Sequence, residues 1–112
     1  MPIEIIPPSL PPKCEKFIHS SSYVSAGATV TLLDEAFEGL AIIKVEGNGS
    51  TYVYVDIYVD GSLVESIRSD TEKLTIWLCS NHIKIESRNR DTTYGHYDSD
   101  LRVYLLEAKA VT

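Results

Sequence analysis

The sequence predicts an all-β domain, an antiparallel sandwich or barrel of eight or nine short strands behind an extended N-terminal arm. Three observations carry this. Hydrophobic residues recur with period two, most clearly in TYVYVDIYV at positions 51–59. Turn dipeptides punctuate the chain every eight to twelve residues, the spacing of a small all-β fold. All five prolines fall within the first twelve residues, so the other hundred can enter strands without losing a ladder donor.

The elements follow in order. Residues 1–12 hold Pro2, Pro7, Pro8, Pro11 and Pro12, which favour an extended polyproline-like arm with a reach on the order of 35 Å. The arm also carries Ile3, Ile5, Ile6 and Leu10. A stiff apolar arm loses little entropy on docking, so these four are candidate contacts to a neighbouring subunit. Residues 13–112 form the domain. Strands are predicted at 17–24 and 28–33. Leu33, Phe37, Leu40 and Ala41 have helical spacing over 32–43, but Gly39 interrupts that pattern, and 40–46 reads as a strand. Asn48-Gly49 then predicts a tight hairpin to the strand at 51–59. There Val53, Val55, Ile57 and Val59 face one way, and Tyr52, Tyr54, Asp56 and Tyr58 the other. Asp60-Gly61 predicts a second hairpin, to a strand at 62–67, so the three strands read as a meander. Further strands are predicted at 73–79, at 82–87 after a turn at Ser80-Asn81, and within 94–107 after a turn at 89–91.

Composition limits the function classes. The chain has 112 residues, room for one domain. Acidic residues outnumber basic ones 16 to 10, for a net charge of −6, which opposes phosphate-mediated nucleic-acid binding. No apolar run is long enough to span a bilayer, and MPIEIIPPSL lacks the basic and long apolar regions of a signal peptide. No nucleophile elbow, phosphate-cradling glycine loop or HExxH is present; neither an enzyme nor a cofactor is expected. Cys14 and Cys79 read as free thiols. One extended segment, GHYDSD, would place His96, Asp98 and Asp100 on one strand face, where an imidazole and two carboxylates could hold a cation. A polar outer face explains the same spacing, and no metal site is expected.

The aromatic residues are the remaining signal. Tyr52, Tyr54 and Tyr58 share a strand face and Trp77 sits on another strand. Large amphipathic rings suit a subunit interface. The alternative is a carbohydrate-binding module, with Trp77 or the tyrosine stripe as the sugar platform, which requires those rings to be exposed.

The stretch TVTLLDEAFEGLAIIKVEGNGSTYVYVDIYVDGSLV, about a third of the chain, resembles a pattern in small virion proteins of tailed phages and related prokaryotic viruses. Leu32-Leu33-Asp34, Gly39, the 40–45 strand, Asn48-Gly49 and Val59-Asp60-Gly61 carry it. The resemblance implies a jelly-roll-like β-sandwich, often with an N-terminal arm, that assembles as an oligomer on a capsid, turret or tail. It implies a virion location and partners that are other copies of itself and other virion proteins. No binding residue carries over, because the shared positions are turn and core residues.

Overall fold

A computed structural model describes residues 3–4 and 14–110, with side chains over 14–108. The expected all-β architecture is found. Eight long strands make two four-stranded antiparallel sheets: β2 (Cys14–His19), β4 (Thr29–Ala36), β5 (Gly39–Val45), β6 (Val53–Val59), β7 (Ser62–Arg68), β8 (Lys73–Cys79), β9 (His82–Asn89) and β11 (Leu101–Glu107). One sheet has the order β2-β11-β5-β8 and the other β4-β9-β6-β7. Counted one to eight along the chain, the strands lie as 1-8-3-6 and 2-7-4-5. This is the connectivity of a jelly roll, two Greek keys folded into a sandwich.

Period-two patterning builds the core between the sheets. β5 and β9 alternate strictly between buried and half-buried positions. Ile43 and Val103 from one sheet pack with Ile57, Ile83 and Ile85 from the other, all fully buried. Each contributes about 1.5–3 kcal/mol through removal from water.

Among the eight long strands, only the β6–β7 connection joins sequential neighbours within a sheet. It is a hairpin in which Asp60 takes φ 52° and Gly61 φ 86°, as a type I′ turn requires. Asn48-Gly49 behaves differently, and the meander expected there does not form: β5 and β6 lie in different sheets. Asn48 and Gly49 are absent from the positive-φ residues. Gly49 is needed for close approach instead, because a Cβ there would sit 2.7 Å from Ser69 Cβ and from the Asp98–Ser99 backbone. Ser80-Asn81 likewise carries the chain from one sheet to the other.

The helical spacing over 32–43 resolves into β4 and β5. The strand expected at 17–24 is broken: β2 ends at His19, and Tyr23–Val24 (β3) pairs separately with His96–Tyr97 (β10). Near the termini, Ile3–Glu4 (β1) pairs with Lys109–Ala110 (β12) of the same chain. Ile5, Ile6 and Leu10, expected as arm contacts, lie outside the described residues, and of Ile3 only the backbone pairing is described.

Candidate functional site

One end of the sandwich is organised by carboxylates. Asp98 is fully buried in the loop before β11. Its oxygens accept hydrogen bonds from the Ser22 backbone N–H at 2.7 Å and the Ser87 hydroxyl at 2.7 Å, and Oδ2 lies 2.9 Å from His19 Nε2. Asp100 accepts from the Ser21 backbone N–H at 2.6 Å and from Asn48 Nδ2 at 3.0 Å. The Ser21 bond first, then Asn48, holds its carboxyl below the usual aspartate value. These bonds to Ser21 and Ser22 explain the break after His19, since their backbone donors are used by carboxylates and not by a ladder.

His96 turns away from both aspartates. Its Nε2 lies 2.8 Å from Asp91 Oδ2. The trio of the GHYDSD segment is therefore split: Asp98 and Asp100 share the network around Ser21, and His96 belongs to another with Asp91. Among the described residues no cluster of histidine, cysteine and carboxylate side chains could hold a metal ion.

The tyrosine stripe lies on the outer face of the β4-β9-β6-β7 sheet and is neither apolar nor bare. The register sets Tyr54, Asp56 and Tyr58 of β6 opposite Arg88, Glu86 and Lys84 of β9. Lys84 lies over the Tyr58 ring at 5.3 Å, and Arg88 and Arg90 over Tyr54 at 5.4 and 5.3 Å. Between the rings Asp56 is buried, bonded to Arg88 Nε at 2.8 Å and to the Ser66 hydroxyl. The chain's own cations thus cover the Tyr54 and Tyr58 rings. Tyr52 stands apart: its ring stacks on His96 with centroids 4.6 Å apart, and it is half exposed.

Beside Tyr52 an open groove of about 630 Å³ runs between Tyr54, Arg68, Arg90 and the 91–94 loop. A cavity of about 390 Å³ at the other end is rimmed by Glu15, Glu35, Glu38 and Glu107 over Phe37 and Leu105.

The most exposed aliphatic residues lie on the opposite sheet, and the sequence names none of them as a site. Reading across β2, β11, β5 and β8, the outward rows are Cys14-Leu106-Leu40-Leu78, then Lys16-Tyr104-Ile42-Ile76, then Ile18-Arg102-Lys44-Leu74. Leu74, Ile76 and Leu78 are 58%, 56% and 65% exposed, and Ile18 59%. A signal for this existed: in KLTIWLC of β8 one parity is wholly apolar, Leu74, Ile76 and Leu78, while the other ends in Trp77 and Cys79.

Trp77 belongs to the other parity. It packs against the core and donates Nε1–H to Glu65 Oε1 at 3.0 Å, so it offers no open platform for a sugar. Glu65 of β7 also accepts from the Thr75 hydroxyl at 2.6 Å and pairs with Lys73, clasping β7 to β8 across the open side of the sandwich. Burial raises the Glu65 carboxyl, but bonds from Lys73, Thr75 and Trp77 outweigh it and leave the group below its usual value.

Both cysteines are free. Cys79 faces inward, and burial, helped by Asp60, pushes its thiol up to about 11; Cys14 is exposed on the apolar face. Compared with known proteins, the chain matches no family model, no curated sequence and no solved structure.

Proposed function

We propose that this protein is a structural assembly subunit, a virion component of a capsid, turret or tail, that works by binding further copies of itself. The observation that carries the reading is the contrast among the four sheet edges. Exposed edge strands invite pairing with other chains, and proteins blunt them with bulges or charges. Among the described residues, β4 carries a register shift between Thr31 and Leu33. β7 has one opposite Ile57/Tyr58 and carries Glu65 and Arg68. β2 carries Glu15 and Lys16 in its run CEKFIH. β8 has no register shift, and its one charge, Lys73 at its first residue, is paired with Glu65 of β7. Its pairing with β5 is regular over seven residues, and from Leu74 to Cys79 it contains no charge.

The partner this edge fits best is a second copy. The outward residues of β8 are symmetric about Ile76, with Leu74 and Leu78 two positions to either side. An antiparallel β8–β8 pair about a twofold axis would set Ile76 opposite Ile76 and Leu74 opposite Leu78 on one continuous face. Isologous contacts of this kind are the commonest in homo-oligomers. They would extend the apolar rows into a surface two sheets wide, available to further copies or other virion proteins. The virion assignment draws on the resemblance of residues 29–64, and the self-association on β8.

Light scattering on the eluting full chain tests it. The wild type is expected to run as a dimer or higher oligomer, and Ile76→Lys as a folded monomer. A monomeric wild type at high concentration would refute the proposal.

A further inference from the structure

The groove beside Tyr52 lies on the sheet opposite the apolar rows, so assembly through β8 leaves it open. Its chemistry differs from the rest of the surface. The protein is net acidic, yet this groove presents guanidinium groups. Arg90 crosses the Tyr54 ring and donates Nη1–H to the Tyr54 hydroxyl at 3.1 Å. It forms no ion pair among the described residues. Arg68 sits at the other wall, paired with Asp70 at 2.6 Å in an exposed bridge that solvent weakens.

The one carboxylate in the lining does not neutralise Arg90. Asp91 is occupied by His96 and by the backbone N–H groups of Thr93 at 2.9 Å and Tyr94 at 3.3 Å. Its task is to shape the 91–94 loop. That loop raises Tyr94, 69% exposed, across from Tyr52, whose inner face is stacked on His96 and whose other face is open at 51% exposure. The site therefore combines exposed tyrosine rings, an arginine with no ion pair among the described residues and threonines at 51, 92 and 93.

We infer that this groove is a binding site for an acidic sugar, a pyranose carrying one carboxylate, with its ring against Tyr52 or Tyr94 and its carboxylate on Arg90. A planar guanidinium held in place by an aromatic ring matches a carboxylate bidentately. The open aromatic faces take the apolar side of a pyranose, and the hydroxyls of Thr92 and Thr93 are donors and acceptors for its ring hydroxyls. Arginine and aromatic residues also suit single-stranded nucleic acid. Two observations favour the single charge of a sugar acid over a polyanion. Arg88 is already committed to Asp56, so no basic track leads away from the groove. Glu86 and Asp70 on and beside the same sheet would repel further phosphates.

The test is an NMR titration of the isotope-labelled full chain with sialyllactose and monomeric galacturonic acid, against lactose and a single-stranded oligonucleotide. Expected are saturable shifts of the 90–95 amides and of the Tyr52 ring with at least one acid sugar, and far weaker ones with lactose. Arg90→Gln should weaken binding about tenfold to a hundredfold, the loss of one charge-assisted hydrogen bond. Tyr94→Ala, at an exposed position, should weaken it with the fold unchanged. Absence of saturable shifts at millimolar acid sugar, equal affinity for lactose, unchanged binding by Arg90→Gln, or preference for the oligonucleotide would each overturn the inference. Ile76→Lys should bind as the wild type does, which separates this site from the assembly surface.

Discussion

Asp98 is the residue on which the loop end of the sandwich hangs. It is buried in the loop before β11, and its partners reach it from three other segments of the chain: His19 at the end of β2, Ser22 in the following loop and Ser87 on β9. Removing a buried acceptor leaves all its donors without partners, which costs more than the bonds are worth net. Asp98→Ala is expected to destabilise the fold by about 3–5 kcal/mol, measured by chemical denaturation; Asp98→Asn, which keeps an acceptor oxygen, should lose less. A loss under about 1 kcal/mol for the alanine variant would show that the network is dispensable. Carboxylates also set the acid limit. Glu65, Asp60, Asp91 and Asp100 all lie below their ordinary values of 4.5 for glutamate and 3.8 for aspartate. A carboxyl depressed in the folded state stabilises it above the unfolded value, and that stability drains as pH falls through the folded value. Melting temperature should therefore fall steeply below about pH 4, and Glu65→Gln should flatten part of that fall. An unchanged acid slope in Glu65→Gln would contradict the clasp between β7 and β8.

At the scale of elements, most strands were legible because hydrophobic period two survives in them. β6 presents Val53, Val55, Ile57 and Val59 inward as their spacing demands. The Asp60-Gly61 hairpin was legible because its φ requirement is local. Asn48-Gly49 carries the same type of dipeptide yet bridges two sheets. Whether a turn returns to the same sheet or crosses to the other depends on where the partner strands lie, and no dipeptide encodes that. The candidate site was less legible than the fold. The tyrosine stripe looked like an interface because Lys84, Arg88 and Arg90, which cover it, lie some thirty residues away in sequence. Trp77 looked like a platform because its partner Glu65 sits on a different sheet. The apolar face is assembled from four strands, and only β8, whose run from Ile76 to Cys79 is apolar without interruption, announced it.

For the whole molecule, the jelly roll separates two surfaces of different chemistry. One sheet turns outward a polar face of paired charges and tyrosines with an arginine-lined groove at its edge. The other turns outward Ile18 and, along its edge strand β8, the exposed Leu74, Ile76 and Leu78, among Lys16, Lys44 and Arg102. The central claim is that β8 of one copy pairs with β8 of another. Amide hydrogen exchange resolved along β8 tests it most directly. In an unpaired edge strand the amides bonded to β5 are protected and the alternate ones exchange freely. Slow exchange is expected at every amide from Leu74 to Leu78 in the wild type, with alternate amides turning fast in Ile76→Lys. Fast exchange at alternate β8 amides in the wild type, at concentrations where it is said to assemble, would contradict it.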